Sequence, residues 1–232
     1  QLQIQHKQFE QALATLCYLQ EQAPKQAQVL QLLKQVYWEL KDWYQLSALI
    51  PQLKQLKLLS KPALAALECE VYKHWLIETP PQTEGPLTFE KLWETLPKPL
   101  KTTPIFIQRY CQHLLTVGQE ATVESLIRQT LKKVWEPGLV TLYGSLTHTD
   151  TKKQLLTAES WLKRYPNDAH LLLCLGRLCK AAQLWGKART YLNTSVEISP
   201  SPAAYAELGQ LFETLKDLPN ALVCYRKALQ CQ

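Results

Sequence analysis

The sequence predicts an all-α fold: a right-handed superhelical solenoid of antiparallel helix pairs. Three observations predict it. The 232 residues hold only 7 Gly and no Met, while Leu is the commonest residue and Gln follows. Straight-chain residues of this kind lose little rotamer freedom in a helix. Few glycines also exclude all-β and Gly-cradled nucleotide folds, which need left-handed turns and close backbone approach. Leu172, Leu175, Gly176 and Cys179 lie at i, i+3, i+4 and i+7, the stripe of an amphipathic helix. Finally, that stripe recurs 33 residues later as Tyr205, Leu208, Gly209 and Phe212. A repeat of this length is one helix pair that buries its apolar face by stacking on its neighbours.

Each pair follows in order along the chain. Ala12 and Pro24 stand twelve apart and mark a partial repeat at 1–24. Lys34 takes the first-helix slot of a repeat near 27–58, flanked by Leu30, Leu33 and Tyr37, with Leu46, Ile50 and Leu53 on its second helix. Glu68 opens the repeat at 61–97. It lies 43 residues before Cys111, so that repeat carries an insertion, assigned to the turn-rich stretch Thr79–Pro86. Cys111, with Ile107, Tyr110 and Leu114, marks 104–135. Gly144, with Val140 and Tyr143, marks 137–166. Ala158 and Trp161 depart there from the usual order of small and large residues, which reads as local repacking. Gly176 is followed twelve residues later by Ala188 and twelve later by Pro200, giving 169–200. Gly209 and Ala221 give 202–232, where Tyr225 and Ala228 follow as Leu192 and Ser195 do before them. A small residue in each helix permits close approach, and Pro ends the pair. The repeats form one solenoid domain over 1–232. The mid-repeat start and the missing Met lead us to expect a truncated chain whose anchor lies elsewhere.

This is tetratricopeptide (TPR) spacing, and the later repeats resemble a narrower family. Trp161-Leu-Lys-Arg-Tyr-Pro-Asn-Asp168, Leu171-Leu-Leu-Cys-Leu-Gly-Arg177 and Leu184-Trp-Gly-Lys-Ala-Arg189 look like the C-terminal repeats of the proteobacterial HemY family, as does Trp135-Glu-Pro-Gly-Leu-Val-Thr-Leu-Tyr-Gly144. The resemblance is strongest over 135–232. It implies a bacterial inner-membrane protein with two N-terminal spans, a repeat domain and an association with late protoheme synthesis. It further implies a scaffold role, with heme-pathway enzymes such as ferrochelatase as partners. Cysteine usage and the resemblance together favour the cytoplasmic side. The unrelated flavin-dependent oxidase that shares the family's name needs a Gly-x-Gly-x-x-Gly fingerprint, and none occurs here.

Chemistry-bearing motifs are absent. There is no Gly-x-Ser-x-Gly, His-Glu-x-x-His, phosphate loop or EF-hand loop, so no enzyme is expected and no catalytic residue is named. His170 and Cys174 share a helix face, but two ligands do not close a metal site. No cofactor is assigned. Heme or porphyrin binding stands as the alternative function, with no one of the five His singled out as an axial ligand. The seven Cys are odd in number and widely spaced, which reads as reduced thiols packed as small hydrophobes. No window is apolar enough to span a membrane. The net charge of +6 is local: residues 1–100 sum to zero, whereas Lys152, Lys153, Lys163, Arg164, Arg177, Lys180, Lys187 and Arg189 oppose only Glu159 and Asp168. That stretch suits an acidic partner or anionic lipid, or is a solvated face. No basic–aromatic pattern points to nucleic acid.

Repeat solenoids bind partners on their concave first-helix faces. Extrapolating the repeat places Gln28, Gln31, Gln35 and Trp38 inward. Cys69, Tyr72 and Lys73 follow, then Gln108 and Gln112, then Thr141, Ser145 and His148. The last repeats add Leu173, Arg177, Lys180, Tyr205 and Gln210. None is Asn, which disfavours a Lys/Asn clamp for a terminal carboxylate. Gln donates and accepts, and so suits an extended backbone. Arg177 and Lys180 either meet a partner's carboxylate, stay solvated, or pair with Glu207 or Glu213. The candidate binding residues are Gln31, Gln35, Trp38, Tyr72, Gln112, Arg177, Lys180, Tyr205 and Gln210. Among the seven Trp, Trp38 falls at an inward position, whereas the others fit the helix–helix core.

Overall fold

A computed structural model describes residues 2–78, 89–147 and 150–231, and all regular structure among them is helical. The insertion assigned to Thr79–Pro86 and the inward position His148 lie outside the described residues. The chain divides into two compact units, residues 1–101 and 102–232.

The N-terminal unit holds α1 (Leu2–Gln5), α2 (Phe9–Gln22), α3 (Ala27–Glu39), α4 (Trp43–Gln55), α5 (Lys61–Glu78), α6 (Phe89–Thr95) and α7 (Lys98–Lys101). Neighbours in sequence pack antiparallel, α2 on α3, α3 on α4 and α4 on α5. Leu30, Leu33, Val36 and Leu46 are completely buried between α3 and α4, where the stripe places them. The turn into α4 is fixed twice. Lys41 adopts a left-handed conformation with φ 56°, and the Asp42 carboxylate accepts the Gln45 N–H at 3.1 Å. A side-chain oxygen at this position satisfies an N–H that the first helical turn leaves open.

The C-terminal unit holds α8 (Pro104–Thr116), α9 (Glu120–Leu131), α10 (Pro137–Tyr143), α11 (Thr151–Leu162), α12 (Ala169–Ala181), α13 (Trp185–Ile198), α14 (Pro202–Thr214) and α15 (Leu218–Gln230). Pro104, Pro137 and Pro202 start their helices, where a missing N–H costs nothing. One buried cluster runs through this unit from Ile107 to Cys224. The close approach expected of the small residues is present. A Cβ on Gly176 would lie 2.5 Å from the Leu192 side chain, and one on Gly209 would lie 2.7 Å from the Tyr225 ring.

The α10–α11 pair departs from the expected spacing. Its connection runs from Gly144 to Asp150, longer than the three-residue connections of the next two pairs. Leu156, twelve after Gly144, is therefore 68% exposed, while Ala158 takes the buried slot. Gly144 packs against the Cys174 backbone on α12, where a Cβ would come within 2.8 Å. The residues that carry the family resemblance form a packing cluster. The Trp135 indole N–H donates to Asp168 at 2.7 Å and its ring stacks on Tyr165 at 3.8 Å, with Trp161 edge-on at 5.8 Å. Asp168 also caps α12, accepting the His170 and Leu171 N–H groups at 2.9 and 3.0 Å.

Candidate interaction grooves

Four of the inward positions meet in one groove. Gln28, Gln31, Gln35 and Trp38 follow one another at spacings of three and four residues, so they share a face of α3. With Leu32 and Lys34 of α3 and Leu67 of α5 they line an open groove of about 550 Å³. Trp38 is 37% exposed. Its ring is held edge-on to the buried Trp43 at 5.4 Å and to His74 at 6.0 Å, and His74 stacks on Trp43 at 4.8 Å. Aromatic pairs in these geometries fix ring orientation, so the indole is presented at the groove in a set position. Among the described residues, neither this indole N–H nor the amides of Gln28, Gln31 and Gln35 hydrogen-bond to the protein.

A second groove, of about 590 Å³, is lined by Gly144–Thr147 after α10, Thr151 of α11, the C-terminal half of α12 and Glu207 of α14. Its chemistry is closed on itself. Arg177 donates to Glu207 at 2.8 Å and to the Thr141 carbonyl at 3.3 Å. Lys180 donates to the other Glu207 oxygen and, at 2.7 Å, to Gln210. The three charged side chains are about four-fifths buried. Of the alternatives the sequence leaves for Arg177 and Lys180, pairing with Glu207 is the one realised. Glu213 instead accepts the Tyr225 hydroxyl at 2.8 Å. Leu173 is a correction: it is 3% exposed, not inward-facing. Residues 171–176 of α12 are buried without a break, because the helix packs on α10, α11, α13 and α14.

The other inward positions are dispersed. Tyr72 is half-buried and stacks on Trp75 at 6.0 Å; burial raises its hydroxyl pKa, and Glu68 adds to the effect. Gln112 accepts from Arg109 at 3.2 Å. Gln108 is packed against Gly138, where a Cβ would lie 2.6 Å from its amide. Tyr205 is half-buried beneath the Lys227 ammonium at 5.7 Å. The basic stretch is also partly engaged. Lys187 meets Glu159 at 3.3 Å and Lys153 meets Asp150 at 3.3 Å. Arg164 and Arg189 lie over the Tyr165 and Phe212 rings.

Neither groove fits an axially ligated heme, since no His, Cys or Tyr lines either one. His170 Nδ1 lies 3.2 Å from the Thr141 hydroxyl, and burial pushes the Cys174 thiol up to about 12. No group of three or more His, Cys, Asp and Glu able to hold a metal occurs among the described residues. No described helix is long and apolar enough to cross a membrane.

Sequence reasoning named Glu207 among the possible partners of Arg177 and Lys180 but missed Thr141, whose carbonyl also accepts from Arg177, and Trp43 and His74 as the supports of Trp38. Each comes from a different helix than the residue it serves, and spacing along one helix carries no such information.

No family model and no curated protein matches the chain. Solved structures do. A chain of the APC/C hetero-tetramer Cut9–Hcn1 is 16% identical, with a TM-score of 0.51 over 89% of this chain and 46% of that one. MamA from residue 41 onward, from Desulfovibrio magneticus RS-1, is 16% identical with a TM-score of 0.49 over 72% and 94%. The TPR2AB domain of yeast Sti1, in complex with pHSP90, is 14% identical with a TM-score of 0.34 over 97% and 85%. The Cut9 match and the helix pairs described above give the fold: the chain is an all-α repeat of antiparallel helix pairs of the tetratricopeptide type.

Proposed function

We propose that the chain is a non-enzymatic protein-interaction module that holds a segment of a partner protein in the α3–α5 groove. One observation supports this most. Trp38 stands partly in water, oriented by Trp43 and His74, beside Gln amides that the protein leaves unpaired. A rigid exposed indole is a frequent energetic anchor of protein interfaces. The second groove supports the same reading less, because its Arg, Lys and Glu already satisfy one another.

Affinity capture with the wild-type chain and with Trp38→Ala tests the reading. Truncating an anchor of this kind costs about 2 kcal/mol or more, roughly thirtyfold in affinity. Recovery of bound proteins is expected to fall at least tenfold, while thermal unfolding shifts little. Equal recovery by both proteins overturns it. A role in late heme biosynthesis at a bacterial inner membrane, with ferrochelatase as partner, rests on the sequence resemblance alone. Titrating ferrochelatase with the chain tests that refinement, and absence of saturable binding overturns it.

A further inference from the structure

We infer that the α3–α5 groove takes an uncharged, proline-rich segment in the polyproline II conformation, an inference that rests on the interaction reading and specifies its partner. The balance of donors and acceptors points there. Each Gln amide balances two N–H groups against a carbonyl oxygen with two lone pairs, whereas Lys34 adds three N–H groups and Trp38 adds one, neither with an acceptor. Donors in the lining thus outnumber acceptors, and among the described residues none of these side chains spends its hydrogen bonds on the protein. The complementary ligand is rich in acceptors and poor in donors. Proline keeps its backbone carbonyl and lacks the N–H. A polyproline II segment has no internal hydrogen bonds, so its carbonyls remain open.

Charge and shape agree with this. Lys34 is the only charged residue of the lining. A carboxylate or phosphate ligand would find one ammonium and no guanidinium fork. Trp38, Leu32 and Leu67 supply flat apolar surface for pyrrolidine rings, as aromatic-lined grooves do for proline-rich ligands. The face from Gln28 to Trp38 rises about 15 Å along α3. At about 3.1 Å per residue, roughly five residues of polyproline II span it. An amphipathic helix would instead need a run of apolar positions, and here it meets a row of amides.

Three uncharged-terminus peptides test the inference by nuclear magnetic resonance: decaproline, an alanine–serine decamer and hexaglutamate. The Trp38 indole N–H signal is assigned by its loss in Trp38→Phe. Decaproline is expected to shift that signal saturably and to bind at least tenfold more tightly than the other two. Trp38→Ala should weaken decaproline binding at least tenfold. Gln31→Ala, at an exposed position that leaves the core intact, should weaken it severalfold. Tighter binding of the alanine–serine peptide or of hexaglutamate through Trp38 overturns the proline inference and leaves the interaction reading standing. A Trp38 signal that none of the three moves also overturns it, and partner capture with Trp38→Ala then decides the broader reading by itself.

Discussion

Lys7, Lys41, Gln183 and Lys216 share a conformation that their side chains disfavour. Each has φ between 56° and 60° and sits between the first and second helix of a pair. Gly118 occupies the same place before α9, with φ 74°. The hydrogen bonds explain why. Leu184 N–H reaches the Cys179 carbonyl at 2.8 Å and Gln183 N–H reaches Lys180 at 3.0 Å; Asp217 and Lys216 repeat this with Phe212 and Glu213. This paired arrangement closes a helix end only if the linking residue is left-handed, at a cost of about 1 kcal/mol for a residue with a Cβ. Gln183 and Lys216 are exposed, so their side chains contribute little packing. Gln183→Gly or Lys216→Gly should therefore raise unfolding stability by roughly 0.5–1 kcal/mol, read from denaturant midpoints. A fall in stability would refute the strain account.

The thiols give a second consequence at single positions. Burial pushes Cys111 and Cys174 up to about 12 and Cys179 up to about 11, from an ordinary 9.0. The thiolate is the reactive form. In the native protein at pH 8 these three are expected to resist a disulfide reagent, while the half-exposed Cys69 and Cys231 react. Mass spectrometry of the labelled protein checks this. The sign for stability follows from proton binding. Above pH 9 the unfolded chain releases thiol protons that the folded chain keeps, so stability is fully present below pH 9 and declines as pH rises toward about 12.

Between helices, stability depends on single close contacts. Gly176 sits under Leu192, 2.5 Å from where a Cβ would be. Gly176→Ala should cost about 1–3 kcal/mol through overpacking, and Leu192→Ala about 2–5 kcal/mol through the cavity it leaves. The new methyl would occupy part of that cavity, so the double variant should be less destabilised than the sum. A double-mutant cycle measures the coupling, and strict additivity would mean that α12 and α13 do not meet at this pair. The contact was legible in the sequence, since Gly176 and Leu192 occupy slots that Gly209 and Tyr225 repeat 33 residues on. So was the first groove, because Gln28, Gln31, Gln35 and Trp38 share one helix face. What spacing hid has physical causes. The longer α10–α11 connection shifts every later position of α11, so Ala158 replaces Leu156 in the core. The left-handed sites at Lys41, Gln183 and Lys216 carry no glycine to mark them. Gln154 is 1% exposed with no partner for either amide atom, a departure from polar satisfaction that the sequence does not signal.

Within residues 102–232 the buried cluster is continuous, yet most helices pack chiefly on a sequence neighbour, α10 being the exception that packs chiefly on α12. In a stacked array of this kind stability is the sum of repeat terms and nearest-neighbour interfaces. Damage at one interface then spreads by proximity, and helices further along feel it less. α12 is the centre of the unit: it packs on α10, α11, α13 and α14, and α15 packs chiefly on α14. Native-state hydrogen exchange of Gly176→Ala reads this directly. Protection should fall most in α12 and α13, less in α10, α11 and α14, and least in α8 and α9. An equal loss in all eight helices would show that the unit opens as one cooperative block. In that case the strong coupling through Tyr143, Cys174 and Leu192, all completely buried, would outweigh the chain's linear order.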